Sequence, residues 1–106
     1  MDALLPIQRN ARAYQAEVLE SRKGNEEHRK AQYRLYEVQN GNHIETFRNF
    51  FPQLEFIQPH AHRAFDLLVD HAENRAPLPP DQCVPRGGSI SATPAQPGHC
   101  AALLVP

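Results

Sequence analysis

Apolar side chains recur every three or four residues over most of the first three-quarters of the chain. Leu4, Ile7, Ala11, Tyr14 and Val18 keep this step, which lines one face of a helix. Residues 21–30, "SRKGNEEHRK", then carry almost nothing apolar. Gly24 suits a helix C-cap and Asn25 an N-cap, yet Arg22 to Glu26, Lys23 to Glu27 and Glu26 to Lys30 are i,i+4 pairs that favour continuity. The balance leans to one long helix, with a break near Gly24 left open. Further on, Tyr33 and Tyr36 return to the first stripe, while Ala31, Leu35 and Val38 fall on roughly the opposite side.

Asn40-Gly41-Asn42 is the clearest turn: Gly41 can close one helix and Asn42 can cap the next. Ile44, Phe47, Phe51, Leu54, Ile57, Ala61, Phe65, Leu68 and Ala72 then resume the helical step, with Pro52 and Pro59 set among them. A proline inside a helix costs about 3 kcal/mol, but it is tolerated as the first helical residue. The pattern therefore predicts a short helix near 43–51, a bent piece through 52–58 and a solid helix from 59 to 76. Folded back at Gly41, the two arms form an αα-hairpin.

The character of the chain changes at Pro77. "PLPPDQCVPRGGSISATPAQPGHCAALLVP" holds seven prolines and the Gly87-Gly88 pair, and such a segment reads as an extended or disordered tail that adds little to a core. The expected fold class is all-α: a helical hairpin with a proline-interrupted second arm over residues 1–76, followed by a flexible Pro/Gly-rich tail over 77–106. A core drawn from about three-quarters of 106 residues is small for a monomer, and oligomerisation is the usual remedy. A two-arm hairpin also buries only one stripe of each arm. On the second arm Phe65 and Leu68 take the core side, while Leu67 and Phe56, with Arg63 between them, project elsewhere. On the first arm Tyr33, Leu35 and Tyr36 are left over. These six are the candidate protein-binding residues, and the surplus predicts a homodimeric helical bundle.

Charge changes the picture little. The net charge is −1, which argues against a partner held chiefly by electrostatics. Arg22, Lys23, Arg29, Lys30 and Arg34 are threaded with Glu20, Glu26 and Glu27. A small DNA-binding or nucleoid-associated helical protein is therefore only the alternative reading. No signal-peptide pattern opens the sequence, and no apolar run approaches the ~18–20 residues of a membrane span. These features imply a cytoplasmic protein with reduced thiols. Cys83 and Cys100 lack metal-type spacing.

Candidate chemistry is thin. His60 and His62 point to different sides of a helix, and His60 and His71 lie three turns apart, ~16 Å, too far for one ion. His62 and Asp66 supply two ligands, and only a distant His28, His43 or cysteine would complete a site. Ser21, Ser89 and Ser91 sit in no GxSxG elbow, and His99-Cys100 are neighbours in the tail. The reading is of a protein with no enzymatic activity, metal or cofactor.

Taken whole, with its helical arms and the stretch "NFFPQLEFIQPHAHRAFDLLVDHAEN" (residues 49–74), the chain resembles the QslA-like quorum-sensing antiactivators. That resemblance implies a dimeric helical protein that binds the ligand-binding domain of a LuxR-type (LasR-like) transcription factor. It would block that factor's dimerisation and so its DNA binding, without touching nucleic acid or membrane itself.

Overall fold

The structure is a computed structural model that describes residues 10–24, 33–42 and 49–106. Its element order is α1 (Ala11–Arg22), β1 (Tyr36–Val38), β2 (Gly41–Asn42), β3 (Glu55–Phe56), α2 (Gln58–Asn74) and β4 (Gln82–Val84). No helix among the described residues is long and apolar enough to cross a membrane.

The strands overturn the all-α expectation. β1 pairs in parallel with β4, Tyr36 opposite Gln82, Glu37 opposite Cys83 and Val38 opposite Val84. β2 pairs in parallel with β3, Gly41 opposite Glu55 and Asn42 opposite Phe56. Parallel neighbours require a crossover, and α2 lies within the connection from β1 to β4. Gln82 N–H donates to the Leu35 carbonyl at 3.3 Å and Gln39 N–H to the Val84 carbonyl at 3.0 Å, extending the ladder at both ends. The first arm is thus not one helix. α1 stops at Arg22, Lys23 N–H closes onto the Glu20 carbonyl, and residues 36–38 are a strand. The hairpin, and the dimeric bundle inferred from it, have no second helix to build on there. The physical reason is that Leu35, Tyr36 and Val38 form a short apolar run that fits either period, and a partner 46 residues away decides it.

α2 starts and stops on local signals. Pro59 sits in its first turn, where the missing N–H costs nothing. Arg75 takes the left-handed conformation at φ 57° and donates its N–H to the His71 carbonyl, while His71 Nδ1–H donates to the Ala76 carbonyl at 2.7 Å. The helix runs 58–74 against the expected 59–76. Of the expected short helix at 43–51, residues 43–48 lie outside the described residues.

The core lies elsewhere than the helical stripes. Among the described residues the buried apolar side chains are Cys83, Val84, Ile90 and Cys100, all beyond Pro77. Phe65 and Leu68, expected in the core, are 64% and 54% exposed. Cys83 and Cys100 form a disulfide with Cα atoms 4.7 Å apart, where reduced thiols were expected. Gln82 N–H and C=O lie in β4, and its side chain spans the loop: Nε2 donates to the Pro80 and Ser91 carbonyls, and Oε1 accepts the Ser91 N–H. Residues 77–106 are therefore strapped to the body rather than a flexible tail. Proline and glycine deny this segment a helix, but they leave its carbonyls free to accept bonds from buried side chains.

Candidate functional site

α1 is anchored by polar residues, not by its apolar stripe. Tyr14 is 60% exposed, with its ring 5.8 Å from that of Tyr33. Arg12 and Gln15, one turn apart, face inward. Gln15 Nε2 donates to Asp81 Oδ2 at 2.7 Å, and Asp81 Oδ1 accepts the Leu35 N–H at 2.8 Å.

Glu37, at the centre of β1, is the focus of this polar interior. Its side chain is fully buried. Arg12 Nε donates to Oε2 and Arg12 NH2 to Oε1, each at 2.7 Å. The Cys100 N–H donates to Oε1 at 2.7 Å, and His99 Nδ1 lies 2.7 Å from Oε2. Burial pushes the Glu37 carboxyl up, but the bonds from Arg12, the Cys100 amide and His99 together hold it below the ordinary carboxylate value. The same hydrogen bond raises the Arg12 guanidinium. An ionised carboxylate thus fastens α1, β1 and the 99–100 segment at one point. The sequence gives little sign of it: a lone Glu between Tyr36 and Val38 reads as a solvated face.

The turn that follows β1 is equally over-determined. Asn40 is wholly buried in the left-handed region, φ 58°. Its Nδ2 donates to the Gln53 and Val105 carbonyls at 2.8 and 2.7 Å, and its Oδ1 accepts the Val105 N–H at 2.7 Å. Its own N–H reaches the Leu103 carbonyl at 2.8 Å, and its carbonyl accepts the Glu55 N–H at 2.7 Å. Gln39 Nε2 donates to the Ala102 carbonyl at 2.9 Å. At Gly41 a Cβ would come within 2.7 Å of Ile57 Cδ1 and 3.1 Å of the Val38 carbonyl oxygen, so a larger residue would have to push the Ile57 side chain aside. A non-glycine residue held at positive φ by every available bond is a feature concentrated at functional sites. Here it stands at the carboxyl end of a parallel strand, where α/β sheets place their ligands.

The six residues singled out from the sequence are spread over β1 and the residues before it, β3 and α2. Tyr36 lies in β1 with its hydroxyl donating to the Pro79 carbonyl at 2.8 Å, next to half-buried Tyr33 and Leu35. Phe56 ends β3 at 37% exposure; Arg63 is exposed and Leu67 half-buried on α2. Among the described residues no cluster of three or more His, Cys, Asp or Glu side chains is placed to hold a metal ion, and His28 and His43 lie outside those residues. What residue-by-residue reading misses is Glu37, Arg12, Asn40 and the pairing of His99, whose partners are 13 to 65 positions away.

The profile of the 3HB-oligomer hydrolase family matches residues 1–103. The chain belongs to the 3HB-oligomer hydrolase family. It is 39% identical over 101 residues to a D-(-)-3-hydroxybutyrate oligomer hydrolase of Burkholderia cenocepacia, covering 89% of this chain and 14% of that protein. It is 36% identical over 100 residues to the protein of the same name from Burkholderia thailandensis, with the same coverage. The chain thus spans 14% of the length of these relatives. No solved structure matches. Membership of the 3HB-oligomer hydrolases overturns the antiactivator resemblance, and with it the LuxR-type (LasR-like) partner, the homodimer built for that role and any part in quorum sensing or transcription regulation. It equally displaces the DNA-binding alternative. A family named for hydrolysis also corrects the reading of a protein without enzymatic activity. The resemblance rested on helical arms, and the first of these is not a single helix.

Proposed function

We propose that this chain serves the hydrolysis of ester bonds in oligomers of 3-hydroxybutyrate. The observation that carries the reading is the family match across residues 1–103. Units of a hydroxy acid are joined by esters. Cleaving one takes a nucleophile, a group that accepts and returns a proton, and donors for the oxyanion.

Two histidines bear on the proton step. His99 is held by a buried carboxylate, as an oriented general base is. Arg12, however, pairs with the same carboxylate at two points, so that carboxylate is already engaged by a guanidinium. The Arg12–Glu37–His99 group is better suited to fastening the end of the chain to β1. His43 follows β2 in the sequence and lies outside the described residues. The reading gives His43 the proton-accepting role, and gives Glu37 and Asn40 the task of holding the strand and turn that lead to it.

The test replaces the matched 101-residue segment of the Burkholderia cenocepacia relative with this chain and follows acid release from a 3-hydroxybutyrate trimer. An active hybrid that loses about a thousandfold in kcat on His43→Ala, but keeps kcat on His99→Ala, is the expected result. A folded hybrid without activity overturns the reading. Loss on His99→Ala with His43→Ala unaffected reverses the two roles.

A further inference from the structure

Along α2, Ile57, Ala61 and Ala64 line a groove of about 180 Å³ against Tyr36, Val38 and Ile90. At 100° per residue, Phe65, Leu68 and Ala72 continue the same stripe toward the helix C-terminus. Phe65 is 64% and Leu68 54% exposed, and no residue of α2 is buried. Arg63, Asp66 and Asp70 occupy the opposite side. A helix with one charged and one apolar side normally buries the apolar one, yet α2 is half-buried along His60, Ala64, Leu67 and His71 and leaves Phe65 and Leu68 of its apolar side bare.

We propose that the bare part of the stripe, centred on Phe65 and Leu68, docks against the part of a 3HB-oligomer hydrolase that lies outside the matched segment. The inference rests on family membership and not on the assignment of His43. The match takes up only 14% of each relative, so most of such a protein is available as the covering body. A second copy of this chain fits less well. Two side chains offer on the order of 200 Å² each at most, against the roughly 800 Å² per partner of a stable interface. A face this small suits packing that continues an existing core, and the groove beneath Ala61 and Ala64 is the edge of that core.

The experiment reads accessibility, not activity. The chain has no free cysteine among its described residues, so Leu68→Cys introduces a thiol that can be followed by peptide-level labelling, with Asp70→Cys on the charged side as its control. In the isolated chain both label at similar rates. In the hybrid with the Burkholderia cenocepacia relative, Leu68→Cys slows at least tenfold while Asp70→Cys does not. Equal rates for Leu68→Cys in chain and hybrid overturn the proposal, whether or not the hybrid hydrolyses the trimer. So does slow labelling in the isolated chain that speeds up on dilution, which marks a second copy as the occupant. A second arm avoids the hybrid. The chain is titrated onto the same relative lacking its matched segment, and Phe65→Ser and Leu68→Ser weaken capture at least tenfold while Asp70→Ser leaves it unchanged. Capture that ignores both serine variants, or no capture in a relative that melts cooperatively, counts against docking through this face.

Discussion

Arg12 on α1 and Glu37 on β1 meet in a two-point ion pair, both contacts at 2.7 Å, with the glutamate side chain fully buried and the arginine 23% exposed. A second pair in the same protein, Lys23 with Glu20, spans 3.0 Å but is about three-quarters exposed on both sides. The two should differ greatly in consequence. Arg12→Ala leaves a buried carboxylate without its main counter-charge and is expected to cost about 3 kcal/mol or more. Lys23→Ala is expected to cost about 0.5 kcal/mol or less. Urea unfolding of both variants checks the contrast, and equal midpoints would show that Glu37 is not the anchor described.

The pH dependence follows from the same group. The folded-state carboxyl of Glu37 is held below its ordinary value of 4.5. A group depressed in the folded state contributes stability that is present above its unfolded value and lost as pH falls through the folded one. Stability attributable to Glu37 should therefore be level above about pH 5 and decline as acid is added below ~4.5. In Glu37→Gln the decline should be shallower over that window, while the variant is less stable at neutral pH. Melting temperatures between pH 3 and 7 test it, and parallel curves for the two proteins would remove Glu37 as the cause.

The Cys83–Cys100 disulfide closes a loop of sequence separation 17 around buried Val84 and Ile90. Loop closure of that length is worth about 3 kcal/mol in the chain-entropy account. Reduction, or paired Cys83→Ala and Cys100→Ala, should lower the melting temperature by about 10–20 °C. Truncation after Ala76 should do more, because it also removes β4 and the carbonyls that Gln39 and Asn40 bond. A truncated chain that melts like the full one would place the stability in the helices instead.

Asn40 carries three side-chain hydrogen bonds at a left-handed backbone position. Asn40→Ala should lose them and strain the backbone, at a cost of about 3 kcal/mol. Asn40→Gly relieves the strain alone and should recover about 1 kcal/mol of that loss. If alanine and glycine are equally destabilising, the left-handed conformation is not a constraint there.

The legible and the illegible parts of this protein divide by distance along the chain. α2 could be read from the sequence because its determinants are local: Pro59 in the first turn and apolar residues at steps of three and four. The stop near Gly24 was visible as a signal but opposed by i,i+4 charge pairs of similar weight, so it stayed undecided. β1 is hidden in the sequence because Tyr36-Glu37-Val38 is too short to show its period, and its strand character comes from Gln82–Val84. The cluster at Glu37 was hidden for the same reason. A charged residue has no address until Arg12, His99 and the Cys100 amide are brought to it from 25 to 63 positions away. Helical stretches satisfy their own backbone bonds within four residues, and the sequence by itself can specify them. Parallel strands, buried charges and a disulfide take their partners from remote segments, and only the tertiary structure decides which ones meet.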